Sequence, residues 1–294
     1  MRYLCLTFLV FTTLLSAKEK GYYLSVGAIF RDEAPYLKEW IEFHRLVGVE
    51  HFYLYNNNST DNYMQVLRPY VENGIVELKD WPSPLMDRFV IYQREAYNDC
   101  IQKCVGKTVW LAIIDIDEFI VPVKEDTLIP LLSRLEKKKY LGSLKINWQL
   151  YGTSFLPSLP SDKLMVESLV WKAPWDYDSK DTPSNLEYKS IIRPEAIAYY
   201  RLHEGDFKNN FYAYPKGHVH IRQPVQIEDV RINHYWTRSE DFFYDVKIGR
   251  RTLHRKNYRG IMMQKLIDLN QVEDRVMDRF VPALRKIVFE ELSP

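Results

Sequence analysis

Three observations predict an α/β fold with a central, mostly parallel sheet flanked by helices. Over residues 22–120 short β-rich runs alternate with helical periodicities, the order that gives parallel strands joined by crossover helices. Polar loops follow the ends of successive runs. Residues 109–114 (Val-Trp-Leu-Ala-Ile-Ile) form an apolar stretch that ends in three carboxylates, Asp115, Asp117 and Glu118. Such a run reads as a strand buried on both faces, delivering acids to the rim where α/β sheets bind ligands.

The elements follow in order. A first strand, 22–30, ends at Arg31-Asp32-Glu33, and Pro35 stands near the start of a helix whose apolar positions Leu37, Trp40, Ile41, Phe43 and Leu46 recur at helical spacing. Gly48 closes that helix before a second strand, 51–55. The polar cluster Asn56 to Asp61 caps a helix over 63–70. Residues 76–79 are a third strand, and a helix from about 88 to 104 turns Ala96, Tyr97 and Cys100 inward before the carboxylate strand. The carboxyl edge of the sheet then gathers residues 31–33, 56–61 and 115–118. Beyond it, 141–150 alternates as a strand, and Pro157, Pro160, Pro174 and Pro183 punctuate irregular β structure and loops. Within that region 176–182 is polar enough for a mobile lid or a plain exposed loop. A strand over 230–236 delivers His234 beside aromatics, and 270–292 is an amphipathic helical stretch interrupted near Pro282.

The 294 residues suit one large α/β unit with ample core. Forty basic and 39 acidic residues are interleaved to a net charge of +1, which offers no electrostatic footprint for nucleic acid. The 21 Tyr and 7 Trp suit sugar stacking and ordinary cores alike. Residues 1–17 hold one basic residue, an apolar-plus-Thr segment and a small pair before Lys18, which resembles a secretory signal and predicts export or the secretory pathway. The segment is shorter than the ~20 residues of a spanning helix; an uncleaved anchor giving membrane association is the alternative. Cys100 and Cys104 lie four apart on the predicted helix and are expected as two buried thiols, a regular helix being awkward for an unstrained bridge.

With the two-residue period of a strand, Asp115 and Asp117 face the same way and can address one hard cation, Mg²⁺ or Mn²⁺. Such ions take one or two carboxylates plus substrate phosphates, so the inferred ligand is a metal-diphosphate. An Asp-x-Asp pair alone equally fits solvated acids at a strand end.

Several ordered motifs carry a resemblance. Phe30-Arg31-Asp32-Glu33, the run 37–44 (Leu-Lys-Glu-Trp-Ile-Glu-Phe-His) with Gly48-Val49, the run 55–61 (Tyr-Asn-Asn-Asn-Ser-Thr-Asp) and the run 110–119 through Asp115-Ile116-Asp117-Glu118-Phe119 together resemble glycosyltransferase family 92 and its family-2-like relatives. The likeness continues through 93–97, 188–194 and Asn233-His234-Tyr235, covering roughly residues 22 to 250. It implies a GT-A-type nucleotide-diphospho-sugar transferase fold, a nucleotide-sugar donor (a UDP-sugar), a divalent metal, a glycan or glycoconjugate acceptor and inversion at the anomeric carbon. The implied organisation of 18–294 is a single domain, with a nucleotide half at about 22–120, an acceptor half at about 141–250 and a helical tail at about 251–294.

By this resemblance Asp117 is the primary metal ligand, Asp115 lies near ribose or metal, and Glu118 stands behind them. Arg31 and Asp32, with Asn56 and Asp61, hold the nucleotide. His234 adds a metal ligand, better suited to Mn²⁺ than to Mg²⁺, or is a core histidine. Lys189 and Arg193 meet phosphate or form a basic strand edge. An inverting transferase needs a carboxylate to take the acceptor proton; Asp181, Asp206, Asp229, Glu240 and Asp241 occupy suitable positions, Asp229 and Asp241 being the candidates carried forward, although Glu240-Asp241 equally opens a helix. Tyr151-Gly152-Thr153-Ser154 is followed by Phe155-Leu156-Pro157 where the family commonly has a Gly-rich continuation, so acceptor-side loops are expected to differ. Two rival classes share the acidic pair: a metal-dependent phosphohydrolase, and a secreted carbohydrate-binding protein with structural Ca²⁺.

Overall fold

The computed structural model describes residues 21–83, 89–179, 183–215, 225–248 and 258–290. The signal-like segment and Asp181 lie outside the described residues. The first half runs β1 (Tyr22–Phe30), α1 (Ala34–Leu46), β2 (His51–Asn56), α2 (Tyr63–Glu72), β3 (Val76–Asp80), α3 (Phe89–Cys104) and β4 (Thr108–Ile113). Its strands are all parallel, in lateral order β3-β2-β1-β4.

The alternation of a strand sorts β1 onto two cores. Leu24, Val26, Ala28 and Phe30 join Trp40, Ile41 and Phe43 of α1 on one side of the sheet, while Ile29 joins Tyr97, Cys100 and Cys104 of α3 on the other. Gly27 lies on the α3 side, where a Cβ would stand 2.6 Å from Cys100 Sγ; the missing side chain lets the helix press against the strand. Both thiols are buried and unbridged, as expected. Pro35 sits in the first turn of α1, where its missing N–H leaves no helical bond unmade.

The carboxylates depart from expectation. They do not extend β4: the chain leaves the strand at Ile113, turns, and begins β5 (Glu118–Pro122) at the far edge of the sheet. The turn is closed locally, Asp115 N–H donating to Glu118 Oε2 at 2.8 Å and Glu118 N–H to the Asp115 carbonyl at 3.1 Å. The Glu118 carboxylate thus takes a backbone N–H that a continuing ladder would otherwise have to satisfy.

The second half comprises α4 (Ile129–Glu136), β6 (Leu141–Leu150), α5 (Met165–Ser168), β7 (Trp171–Lys172), β8 (Tyr188–Ile192), β9 (Ile197–Tyr200), β10 (Gly205–Phe207), β11 (Tyr212–Tyr214), β12 (Val230–His234), α6 (Glu240–Phe242) running into a π-helical turn (Phe243–Ile248), α7 (Tyr258–Asp268), β13 (Val272–Glu273) and α8 (Val281–Arg285). The tail is less helical than expected: β13 pairs with β7 instead of continuing a helix.

The sheet continues β4-β8-β6-β12-β5, with β8 antiparallel to both neighbours, β6 and β12 parallel, and β5 antiparallel to β12. One rim therefore collects the carboxyl ends of β1, β2, β4, β6 and β12 and the amino ends of β8 and β5. No helix among the described residues is long and apolar enough to cross a membrane.

Candidate active site

Two polar clusters occupy this rim. The first joins the β1–α1 and β2–α2 loops. Arg31 Nε donates to the Asn57 carbonyl at 2.6 Å and its Nη2 to Asn57 Oδ1. Asp32, in the left-handed region at φ 55°, accepts from Thr60 N–H at 2.8 Å, and its own N–H donates to Ser59 Oγ at 3.0 Å. Asn56 Nδ2 donates to Tyr63 and Asp80, both at 2.9 Å. Asp61 accepts the Ala34 N–H at 2.8 Å, so a residue of one loop caps the first turn of the helix that follows the other. Arg31, Asp32, Asn56 and Asp61 are thus brought together, as a wall beside the carboxylate turn.

The second cluster is built around that turn. Asp115 is held on both oxygens: Oδ1 accepts from Tyr97 Oη at 2.8 Å and Gln93 Nε2 at 3.2 Å, and Oδ2 from Lys189 Nζ at 2.8 Å. Lys189 also lies 3.5 Å from Glu118, whose side chain is fully buried. Burial works against the Lys189 charge, but Asp115 and Glu118 outweigh it and hold its proton well above the ordinary lysine range. Burial pushes Glu118 well above the usual carboxylate range, with Lys189 offsetting part of the effect and Asp115 and Asp117 adding to it.

Asp117 differs in kind. Its Oδ1 is 3.5 Å from His234 Nε2, and its Oδ2 is 3.5 Å from Lys247 Nζ. Burial opposes its charge, but His234 and Lys247 prevail and hold the carboxyl well below its usual range. His234 arrives from the end of β12 because that strand pairs with β5, the His234 register falling on Glu118, and Tyr235 N–H donates to the Asp117 carbonyl at 2.8 Å. Trp148 packs against the imidazole at 4.5 Å. Glu118 Oε1 and His234 Nδ1 are buried, make no hydrogen bond and face each other at 4.0 Å, a pair the chain itself leaves loosely settled.

The donor chemistry fits a divalent cation at Asp117 and His234: a carboxylate oxygen and an imidazole nitrogen on one rim, the mixed set that suits Mn²⁺. Among the described residues no group of three or more His, Cys, Asp or Glu forms a metal cage, so remaining ligands would come from phosphate and water. Asp115, saturated by three donors, is turned toward Lys189 instead.

Other expected residues fall elsewhere. Asp229 precedes β12, at the opposite end of the strand from His234, exposed and paired with Lys124 at 2.7 Å; a base there is too far along the strand to reach the carboxylate turn. Asp241 opens α6, accepting from Ser239 Oγ and from Phe242 N–H at 2.6 Å, and lines a cavity of about 490 Å3 with Tyr36 and Phe242. Asp206 is exposed and paired with Arg201 at 3.0 Å. Arg193 lies at the far end of β8, against Trp110 and Glu136.

The sequence reading missed Gln93, Lys247, Arg238 and Glu187 as site residues. Gln93 and Tyr97 are one helical turn apart, a signal available in the periodicity. Arg238, fully buried at φ 51°, pairs with Glu33 and stacks between Tyr36 and Phe242. Glu187 lies two residues before Lys189, one strand period nearer the rim.

Sheet order and rim together define the class: an α/β protein of GT-A type, a parallel strand set joined to a mixed one with paired carboxylates at the junction. Residues 20–270 match the model of glycosyltransferase family 92, and the chain belongs to that family. A family 92 glycosyltransferase protein of Arabidopsis thaliana is 26% identical over 238 residues, 75% of this chain and 36% of that protein. The beta-1,4-galactosyltransferase galt-1 of Caenorhabditis elegans is 32% identical over 202 residues, 65% of this chain and 44% of its own length. A crystal structure of S. aureus TarS residues 1–349 aligns with a TM-score of 0.38 at 12% identity, covering 91% of this chain and 72% of that one. The chain spans less than half the length of the curated relatives it matches, 36% of the first.

Proposed function

We propose that this chain transfers a hexosyl group from a UDP-sugar to a hydroxyl of a glycan or glycoconjugate, with inversion by direct displacement and with Mn²⁺ or Mg²⁺ held by Asp117 and His234. The observation that carries the reading is the meeting of these two side chains at 3.5 Å, one from the carboxylate turn and one from the end of a strand in the other half. Family membership and the names of relatives, beta-1,4-galactosyltransferases among them, support hexosyl transfer.

A cation bound there supplies positive charge where the diphosphate leaving group becomes more negative. Lys247, 3.5 Å from Asp117, adds a second positive group on the same side. Lys189 neutralises Asp115 and keeps two neighbouring carboxylates from repelling the phosphates together. The hydrogen-bonded wall of Arg31, Asp32, Asn56 and Asp61 gives nucleoside and ribose a rigid surface, so little ordering entropy is lost on binding.

Thermal unfolding with UDP, with and without Mn²⁺, tests this reading, because a ligand that binds only the folded state raises its apparent stability. A UDP shift that needs Mn²⁺, with UDP release from a UDP-sugar stimulated by an acceptor, is the expected result. Phosphate release from simple esters without nucleotide binding would move the chain to the phosphohydrolases.

A further inference from the structure

We propose that Glu187 is the general base that takes the proton of the acceptor hydroxyl, with His203 beside it as a neutral neighbour that positions its carboxyl. The proposal rests on the transferase reading and assigns a role at the same rim.

Position is the first argument. Since β8 is antiparallel to β4 and β6, its amino end lies at the rim, and Glu187 stands immediately before it. The strand period places Glu187 on the same face as Lys189, whose ammonium reaches Asp115 at 2.8 Å. On the other side, Trp148 N–H donates to the Glu187 carbonyl at 3.0 Å, and the Trp148 ring touches both His203 at 5.4 Å and His234 at 4.5 Å. Glu187 therefore lies between the carboxylate turn and the His234 end of β12, at the same rim.

Availability is the second. The Glu187 side chain is 21% exposed, against 0% for Glu118, and its nearest polar side-chain contact among the described residues is His203 Nε2 at 3.8 Å. The other carboxylates near the rim are committed: Asp115 to three donors, Glu33 to Arg238, and Asp117 to the proposed metal. Burial raises the proton affinity of Glu187, with Lys189 and Lys265 pulling the other way. His203 donates from Nδ1 to the Tyr188 carbonyl at 2.7 Å, and burial, aided by Lys189, lowers its pKa to about 4, so it stays neutral with the Nε2 lone pair toward Glu187. A neutral imidazole thus stands 3.8 Å from Glu187 and adds no positive charge that would weaken its hold on a proton.

The step balances. The acceptor O–H proton passes to a Glu187 oxygen, the freed oxygen pair forms the new bond to the anomeric carbon, and the old bond to the nucleoside diphosphate breaks with its electron pair leaving on phosphate.

The test uses the full chain with UDP-galactose and a β-1,4-linked galacto-oligosaccharide. In Glu187→Gln we expect kcat to fall about 10²- to 10⁴-fold, the range for loss of a general base, with UDP–Mn²⁺ affinity and thermal stability unchanged. The acid limb of the kcat/KM profile should flatten in this variant and shift in His203→Asn, and Glu187→Asp should recover part of the rate. A Glu187→Gln enzyme near the wild-type rate, or one that loses UDP binding or stability in step with activity, overturns the assignment alone. A wild-type chain that neither binds UDP nor transfers from any nucleotide-sugar overturns the transferase reading and this assignment with it.

Discussion

The two polar clusters on the rim are alike in composition and opposite in state. In the Arg31–Asp61 cluster the polar groups answer one another: the guanidinium is met by Asn57, Asp32 by Ser59 and Thr60, and the free N–H of α1 by Asp61. In the Asp115–Glu118 cluster three acids crowd together, Lys189 compensates two of them, and Glu118 Oε1 and His234 Nδ1 face each other at 4.0 Å, buried and without a hydrogen bond. A cluster that satisfies itself is scaffold and shapes a wall. One that leaves charge and donors unsettled is where a ligand completes the electrostatics.

The largest effect is expected of Lys189→Met. Removing the cation leaves Asp115 and Glu118 facing each other in a buried site, and we expect about 3–5 kcal/mol of lost stability in denaturant unfolding. A loss near zero would show that this cluster is solvated and not a charged site. Next in size is Asp117→Asn: the apo protein should melt as the wild type does, while transfer falls about 10²- to 10³-fold, the scale of losing one transition-state charge contact. Its Mn²⁺-dependent UDP shift should vanish; a shift of wild-type size would remove the metal from Asp117.

A third prediction lies outside both clusters and calibrates them. Glu39 is a buried carboxylate that accepts the Met165 and Val166 N–H groups at 2.8 and 2.9 Å. Burial raises its pKa from 4.5 to about 7, the two N–H donors offsetting part of the effect. Between those values the folded chain keeps a proton that the unfolded chain has lost. Stability therefore falls as pH rises through that window, by up to about 1.4 kcal/mol per pH unit. Glu39→Gln should flatten this slope in unfolding measured across it, and an unchanged slope would mean that Glu39 ionises normally.

The smallest effect is expected of the self-satisfied cluster. Asp61→Ala should cost about 1 kcal/mol, as lost helix caps do, Asp61→Asn should restore most of it, and UDP affinity should stay put. If affinity falls in Asp61→Ala with stability intact, Asp61 touches the nucleotide directly and does more than hold the wall in place.

Much of this was legible before folding. The parallel half follows from local periodicities: Leu37, Trp40, Ile41 and Phe43 mark one face of α1, and the runs 22–30 and 51–55 are strands within a residue. The acids at the junction were visible as an apolar run ending in carboxylates. Less legible was the turn that follows β4, because Asp115 and Glu118 bond within three residues and break the strand period that seemed to align Asp115 with Asp117. Glu187 was within reach, two positions from Lys189, but nothing local says that β8 enters the sheet antiparallel and brings its amino end to the rim. Lys247, in a π-helical turn, carries no motif.

The sequence by itself determined the α/β class, the parallel order of the first half, the buried thiols and the presence of acids at a strand end, since each depends on neighbours within a few residues. Only the tertiary structure decided which of those acids meets His234, that Asp61 caps a helix 27 residues before it, and that Arg238 pairs with Glu33 across 205 residues. Such contacts depend on the lateral order of strands, which is fixed by how two amphipathic faces close over one core and leaves no periodic trace along the chain.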